Sequence, residues 1–394
     1  MKYISSNQSN YNIKQLNNLS KKFNVPTYII KHLFSLNIKT EKEIADFFNP
    51  GLSQFYNPFL LKGMQEAVNK INDAISNNKK IIIVGDYDTD GICATAVLYK
   101  YFESINVKVD YFLPNRFLDG YGLTIETAQK IIENFNPDLL ITVDCGISCH
   151  KEIDYLLEHN VDVVVTDHHE VPDIKPNCIC LDPKDPIQTY PFKELCGAGV
   201  ALKLVHALGG LKQFLNLTNI ASLATVADIV PLVNENRAIV MHGLNNQQNL
   251  PEGIKKLLTS LKITNLTSTD IAYKLAPKLN TAGRMGDATL AFKLFIEKNQ
   301  NLLNQILTEL ENQNNARVEA GNYIFSDAIN MLESVNISLV GAIVLKSETW
   351  HSGVLGIVCA KLTEKYNRPV CLLTKVDNEY KGSIRSVNGI DIYK

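Results

Sequence analysis

The sequence predicts an α/β protein, a doubly wound parallel sheet joined through a long connecting helix to a second, smaller α/β domain. Three observations carry this. Short apolar runs alternate with helix-length segments from residue 79 onward, the pattern of strands linked by crossover helices. The runs KKIIIVGD, DLLITVDCG and VDVVVTDHH are apolar almost throughout, as strands covered on both faces are. A further strand-like run, ISLVGAIVLKSE, appears only after a polar helical stretch near 299–333. At 394 residues the chain exceeds one compact core, so two or three domains are expected.

In chain order, residues 1–78 read as a helical, polar N-terminal region with a Pro/Gly break at NPGLSQFYNPF. KKIIIVGD is the first strand, and GICATAVLYKYFESI is a helix opened by Gly91. VKVDYFLPN, DLLITVDCG and VDVVVTDHH are further strands, with helices near 124–135 and 148–159 between them. A helical stretch over 198–250 follows. The boundaries expected are 79–290 for the first α/β domain, 291–336 for the connecting helix and 337–394 for the second. No internal repeat is visible.

Composition excludes several classes. The net charge is only −2, so any nucleic-acid surface must be a local basic groove rather than a global field. The N-terminus MKYISSNQSNYNIKQLNN has no apolar core, which argues against a signal peptide. No run reaches the roughly 18 apolar residues that a membrane helix needs. The eight cysteines are scattered, several of them (Cys93, Cys359, Cys371) in apolar segments, as reduced core thiols are. Cys145/Cys149 and Cys178/Cys180 lack paired zinc-knuckle spacing, so no structural zinc is expected. The cytoplasm is the expected compartment.

Chemistry concentrates where the strands end. Asp86, Asp88 and Asp90 follow the first strand, Asp144 another, and Asp167, His168 and His169 a third. Asp228 lies in SLATVADIVPL, an apolar helix-like segment. Parallel strands bring their carboxyl ends to one edge, where ligands of such sheets bind. Carboxylates about 4 Å apart repel by roughly 1–4 kcal/mol per pair, so a cation is expected among them. Carboxylates with one or two imidazoles and no thiolate suit Mn²⁺ or Mg²⁺ better than zinc. A lone strand-end Asp or His is usually a cap or a loop group; acids at three strand ends beside an HH doublet are not readily explained so. DYDTDG opens like a calcium loop but lacks its continuation and flanking helices, and no GxGxxG follows the first strand.

GDYDTDG, VDCG, TDHH and ATVADIVPL, in this order and spacing, resemble the first four motifs of the DHH phosphoesterase superfamily. LPNRFLDGYGL, LCGAGVALKL, LNTAGRMGDA, WHSGVLGIVCAKLTEKYNRPV and GSIRS are similar to blocks of its RecJ exonuclease family. The resemblance implies a DHH catalytic domain, part of a DHHA1-like domain and a two-metal phosphodiesterase. Asp88, Asp90, Asp144, His168 and Asp228 would hold two Mn²⁺ or Mg²⁺ ions, Asp144 bridging, with Asp86 supplementing them because Val84 stands where some relatives have a His. His169 would contact the scissile phosphate or assist proton transfer, completing a catalytic set with Asp144 and Asp90. Arg116, Arg284 and Arg385, with Asn280 and His351, would bind phosphates, since guanidinium groups suit phosphate oxygens. Tyr121 would stack on a base.

The function implied is a 5′ to 3′ exonuclease of single-stranded DNA in repair and recombination. Expected with it are a monomer, no membrane contact, and a single-strand-binding protein and a helicase as partners. Two alternatives stand beside it: an oligoribonuclease or cyclic-dinucleotide phosphodiesterase of the same superfamily, and a metal-free binding scaffold. The residues before the first strand and the PNR block favour the first reading, and the intact acids oppose the scaffold. A glycine-rich GGH-type segment and an OB-like clamp, present in relatives, are missing after GSIRSVNGIDIYK. The chain is therefore read as a fragment or a catalytic core, with weak, salt-sensitive strand binding.

Overall fold

The computed structural model describes residues 12–392 except 118, 120–121 and 377–378. Its larger sheet has five parallel strands, β1 (Ile81–Gly85), β2 (Asp110–Phe112), β3 (Leu139–Val143), β4 (Asp162–Thr166) and β5 (Ile179–Leu181), in the order β2-β1-β3-β4-β5. Both faces are covered. Ile81, Ile83, Leu139, Ile141, Val143 and Val164 point into the main core. Ile82, Val84, Leu140, Val163 and Val165 point into a smaller core on the opposite face. Full burial on both sides is why these strands read as unbroken apolar runs.

Three short helices, α1 (Ile13–Phe23), α2 (Thr27–Ser35) and α3 (Glu41–Phe48), form their own apolar cluster. The main face carries α4 (Met64–Ser76) and α5 (Thr89–Ser104), while α6 (Ile125–Phe135) and α7 (His150–Glu158) cover the other. The expected helical stretch 198–250 divides into α8 (Gly197–Ala227) and α9 (Asn234–Asn245), followed by α10 (Glu252–Ser260). A straight helix of the length of α8 would span roughly 45 Å. Gly210, at φ 75° and ψ 179°, interrupts it, so α8 doubles back and both its ends approach one imidazole, as described below.

Two details differ from expectation. Helix α5 begins at Thr89 rather than Gly91, because the Asp88 side chain is the N-cap and accepts the N–H groups of Asp90 and Gly91 at 2.8 and 3.1 Å. Strand β5 was not foreseen; its three residues, ICL, are too few for a periodicity to emerge.

After α11 (Ala276–Met285) and α12 (Thr289–Ile296) comes the long helix α13 (Gln300–Leu332); of the 291–336 expected for the connecting helix, the first residues belong instead to α12, which packs in the main core. Its first half packs in the main core through Leu303, Ile306 and Leu310. Its second half packs through Ile324, Ala328 and Leu332 against Trp350, Val358 and Val370 of the second unit. That unit is a three-stranded sheet, β6 (Ile343–Lys346), β7 (Val370–Val376) and β8 (Glu379–Arg385), with α14 (Leu355–Tyr366) crossing between the parallel pair β6 and β7. No helix among the described residues is long and apolar enough to cross a membrane.

Candidate metal centre and phosphate cleft

Register sets the site. Gly85 pairs with Val143, and Val143 with Thr166, so the next residues, Asp86, Asp144 and Asp167, leave the sheet level with one another. They line or underlie a cleft of about 350 Å³ between the two units. Asp86, Asp88, Asp144, His168, His169 and Asp228 form one wall, with Arg116, Asn280, Arg284 and Arg385 around them.

His168 Nε2 is the hub. It lies 3.1 Å from Asp144 Oδ1, 3.6 Å from Asp90 Oδ2 and 3.8 Å from Asp228 Oδ2. Asp90, in the first turn of α5, is held from α8: its two oxygens accept the N–H groups of Gly197 at 2.7 Å and Ala198 at 2.8 Å. Asp228 caps the other end of α8. Asp144 adopts φ 60°, unusual for a residue with a side chain. A Cβ on Gly197 would fall 2.4 Å from Asp144 Oδ1, so only glycine leaves room for that carboxylate.

The electrostatics are those of a cation site. Burial, then the neighbouring acids, pushes Asp86 and Asp228 up to about 7 and Asp144 well above the carboxylate range. Burial also raises Asp88 and holds His168 below its ordinary value, which keeps its imidazole neutral. Buried Asp86 Oδ1 and Asp144 Oδ1 have no hydrogen-bond partner. Ligand atoms gather as Asp90/His168/Asp228, Asp86/Asp88/Asp144 and Asp144/His168/His169, each set within 4.8 Å. These donors fit two hard divalent ions, with Asp144 common to two of the sets. The groups named here consist of carboxylates and imidazoles alone.

His169 is different. Its Nδ1 lies 2.7 Å from Asp167 Oδ1, and this bond lifts the imidazole to about 9, so it carries a proton at neutral pH. Burial alone would raise Asp167, but the His169 bond and the N–H groups of Ile147 and His168 outweigh it and hold the carboxyl below its usual range. Asp167 is thus the positioning member of the DHH triplet, a role the sequence reading did not assign although the residue was in view.

The phosphate-binding candidates meet with one qualification and one omission. Arg116 lies over the Tyr87 ring at 5.3 Å, and Arg284 comes from the last turn of α11. Asn280 Oδ1 accepts both the N–H (2.8 Å) and the hydroxyl (2.9 Å) of Thr89, so it anchors α5 as well as lining the cleft. Arg385 enters from β8, beside Ser383 and Gly382. His351 is not in the cleft wall; its ring stands edge-on to Phe117 at 5.4 Å, next to lining residues Ser352 and Gly353. Tyr121 lies outside the described residues. Ser352, Gly353, Gly356 and Ser383 fall within the WHSGVLGIVCAKLTEKYNRPV and GSIRS blocks but were not assigned to the site, because a small side chain points to no chemistry of its own.

Comparison with known proteins agrees with this geometry. The family model described as DHH family, N-terminal domain, matches residues 80–230, and the DHHA1 domain matches 336–394. The chain is 35% identical over 393 residues to the single-stranded-DNA-specific exonuclease RecJ of Bacillus subtilis, covering 96% of this chain and 49% of that protein. Identity is 31% to RecJ of Escherichia coli, covering 84% and 61% respectively. The chain therefore spans about half to three fifths of the length of these curated relatives. A crystal structure of exonuclease RecJ bound to manganese superposes with a TM-score of 0.76 at 32% identity, covering 87% of this chain and 86% of that one. RecJ from Thermus thermophilus in complex with Mn²⁺ gives 0.83 at 28% identity, covering 96% and 55%.

Proposed function

Because the chain belongs to the RecJ family of DHH exonucleases, we propose that it hydrolyses single-stranded DNA from the 5′ end, releasing 5′-mononucleotides, with Mn²⁺ or Mg²⁺ as cofactor. The observation that carries this reading is one cleft with metal-type acids on one wall and, around them, guanidinium groups with no carboxylate partner among the described residues. Asp90, His168 and Asp228 would hold one ion and Asp86, Asp88 and Asp144 the other. When bound, such a pair supplies Lewis-acid charge and an activated water for in-line displacement.

The chain's own groups do the rest. Arg116, Arg284 and Arg385 bind non-bridging phosphate oxygens, Asn280 fixes the α5 start that carries Asp90, and His169 presents an imidazolium to the scissile phosphate. The P–O3′ bond breaks, O3′ leaves on the terminal nucleotide, and the new phosphate stays on the shortened strand. The second unit closes the cleft over the sugar-phosphate chain. Eight thiols without a disulfide fit a reducing cytoplasm. Association with a single-strand-binding protein and a helicase follows from the substrate alone.

A strand labelled at either end, incubated with Mn²⁺, tests the reading. A 5′ label should appear at once as mononucleotide, with duplex untouched and Asp144→Asn inactive. Cleavage confined to di- or cyclic dinucleotides would replace this reading with the short-substrate one, and no cleavage of either would leave the scaffold.

A further inference from the structure

The chain has six arginines, Arg116, Arg237, Arg284, Arg317, Arg368 and Arg385. Among the described residues none pairs with a carboxylate. Arg237 and Arg368 donate to the backbone carbonyls of Phe47 and Val340, and Arg385 to that of its neighbour Ile384 at 3.0 Å. Arg116, Arg284 and Arg385 line the cleft; Arg317 does not, and no motif singles it out.

Arg317 stands on α13 behind Arg284. Its NH2 donates to Asn314 Oδ1 at 3.0 Å, and the same oxygen lies 3.4 Å from the hydroxyl of Thr281, one turn before Arg284 on α11, whose proton goes to the Pro277 carbonyl at 2.8 Å. One turn further along α13, a Cβ on Gly321 would lie 3.4 Å from Val354. The adjoining Gly353 packs so closely on the Arg284 carbonyl that its Cβ would stand 2.1 Å away. Arg317 Nε is buried without a partner; Gln313 Oε1, one turn earlier, is buried and unbonded too, and a neutral amide cannot discharge a guanidinium. After burial, the largest influences that depress Arg284 are the charges of Arg116 and Arg317. A partly desolvated, uncompensated charge demands a counterion.

We propose that Arg317 is a positioning residue of the phosphate cleft: its guanidinium, held by Asn314 where α13 packs against the helix bearing Arg284, crowds positive charge behind Arg284 so that a strand phosphate binds there more tightly. This rests on the nuclease reading for its ligand but not for its test. The full chain in chelator is melted against inorganic phosphate. Wild type should rise in Tm with phosphate, Arg317→Lys should keep most of that rise, and Arg317→Gln should lose half or more while melting no lower than wild type without phosphate.

An unchanged phosphate response in Arg317→Gln, or equal loss in Arg317→Lys, overturns the proposal. If Arg317→Gln fails to fold, Asn314→Ala replaces it and must lower the response. In nuclease assays Arg317→Gln should raise KM about tenfold, the scale of one charge-assisted contact, with kcat changed far less. Phosphate stabilisation through Arg317 in a chain that cuts no strand would remove the nuclease reading and leave the anion site standing.

Discussion

Asp90 and Asp144 carry the same side chain in opposite circumstances. Asp90 has both oxygens bonded to backbone N–H groups at the start of α8, whereas Asp144 has a buried oxygen with no partner and a left-handed backbone. In chelator, Asp90→Asn should therefore cost about 1–3 kcal/mol, since a charge-assisted acceptor is lost, while Asp144→Asn should melt at or above wild type. The gap should widen with pH. Asp86 and Asp228 hold their protons to about 7 in the fold but to only about 4 when unfolded. The fold then binds more protons than the unfolded chain, so stability is present below about 4 and is lost as pH rises through 7. Melts in chelator from pH 5 to 8 check this; a wild-type Tm that rises over that window, or an Asp144→Asn melt as steep as wild type, contradicts it.

At the scale of elements, α8 presents Asp90's anchor at one end and Asp228 at the other because Gly210 folds it in two. Its backbone angles are open to glycine almost alone, and Ala there should cost about 1–3 kcal/mol. No atom lies within 4 Å of its would-be Cβ, so the penalty is purely conformational. Gly210→Ala should weaken Mn²⁺ binding by calorimetry although it touches no ligand, and unaltered affinity would show that the two arms are held by packing alone. This fold-back was not legible in the sequence. Gly209-Gly210 sits inside an apolar helical pattern, and composition does not tell a helix interrupted by glycine from one that reverses. Strands β1, β3 and β4 were legible because burial on both faces leaves no polar alternation to confuse them. The acids were legible because parallel topology carries strand ends to one edge. The Gly197 and Ala198 N–H groups that hold Asp90 were not, since backbone donors leave no trace in side-chain identity.

For the molecule as a whole, a net charge of −2 conceals a local concentration of positive charge. Each phosphate neutralised on a single strand contributes about −0.7 to the slope of log affinity against log salt, so the three cleft-lining arginines, Arg116, Arg284 and Arg385, together should give roughly −2. Fluorescence anisotropy of a labelled strand in chelator measures it, and Arg385→Gln should flatten the slope by about 0.7; a slope near zero would mean the arginines do not meet the strand. The second unit's share of this cleft was visible only through the WHSGVLGIVCAKLTEKYNRPV and GSIRS blocks, because a contact made across α13 joins residues far apart in the chain. The level strand ends have a different consequence, one for descent. With Gly85, Val143 and Thr166 in one row, each strand is a ruler whose last mark is a ligand or its holder. Losing one residue from any of them would retract an acid by about 3.3 Å and turn it to the opposite face. Lineages carrying this site can exchange apolar letters within the strands and lengthen the loops outside them, but insertions and deletions between the first strand residue and the acid are closed to them.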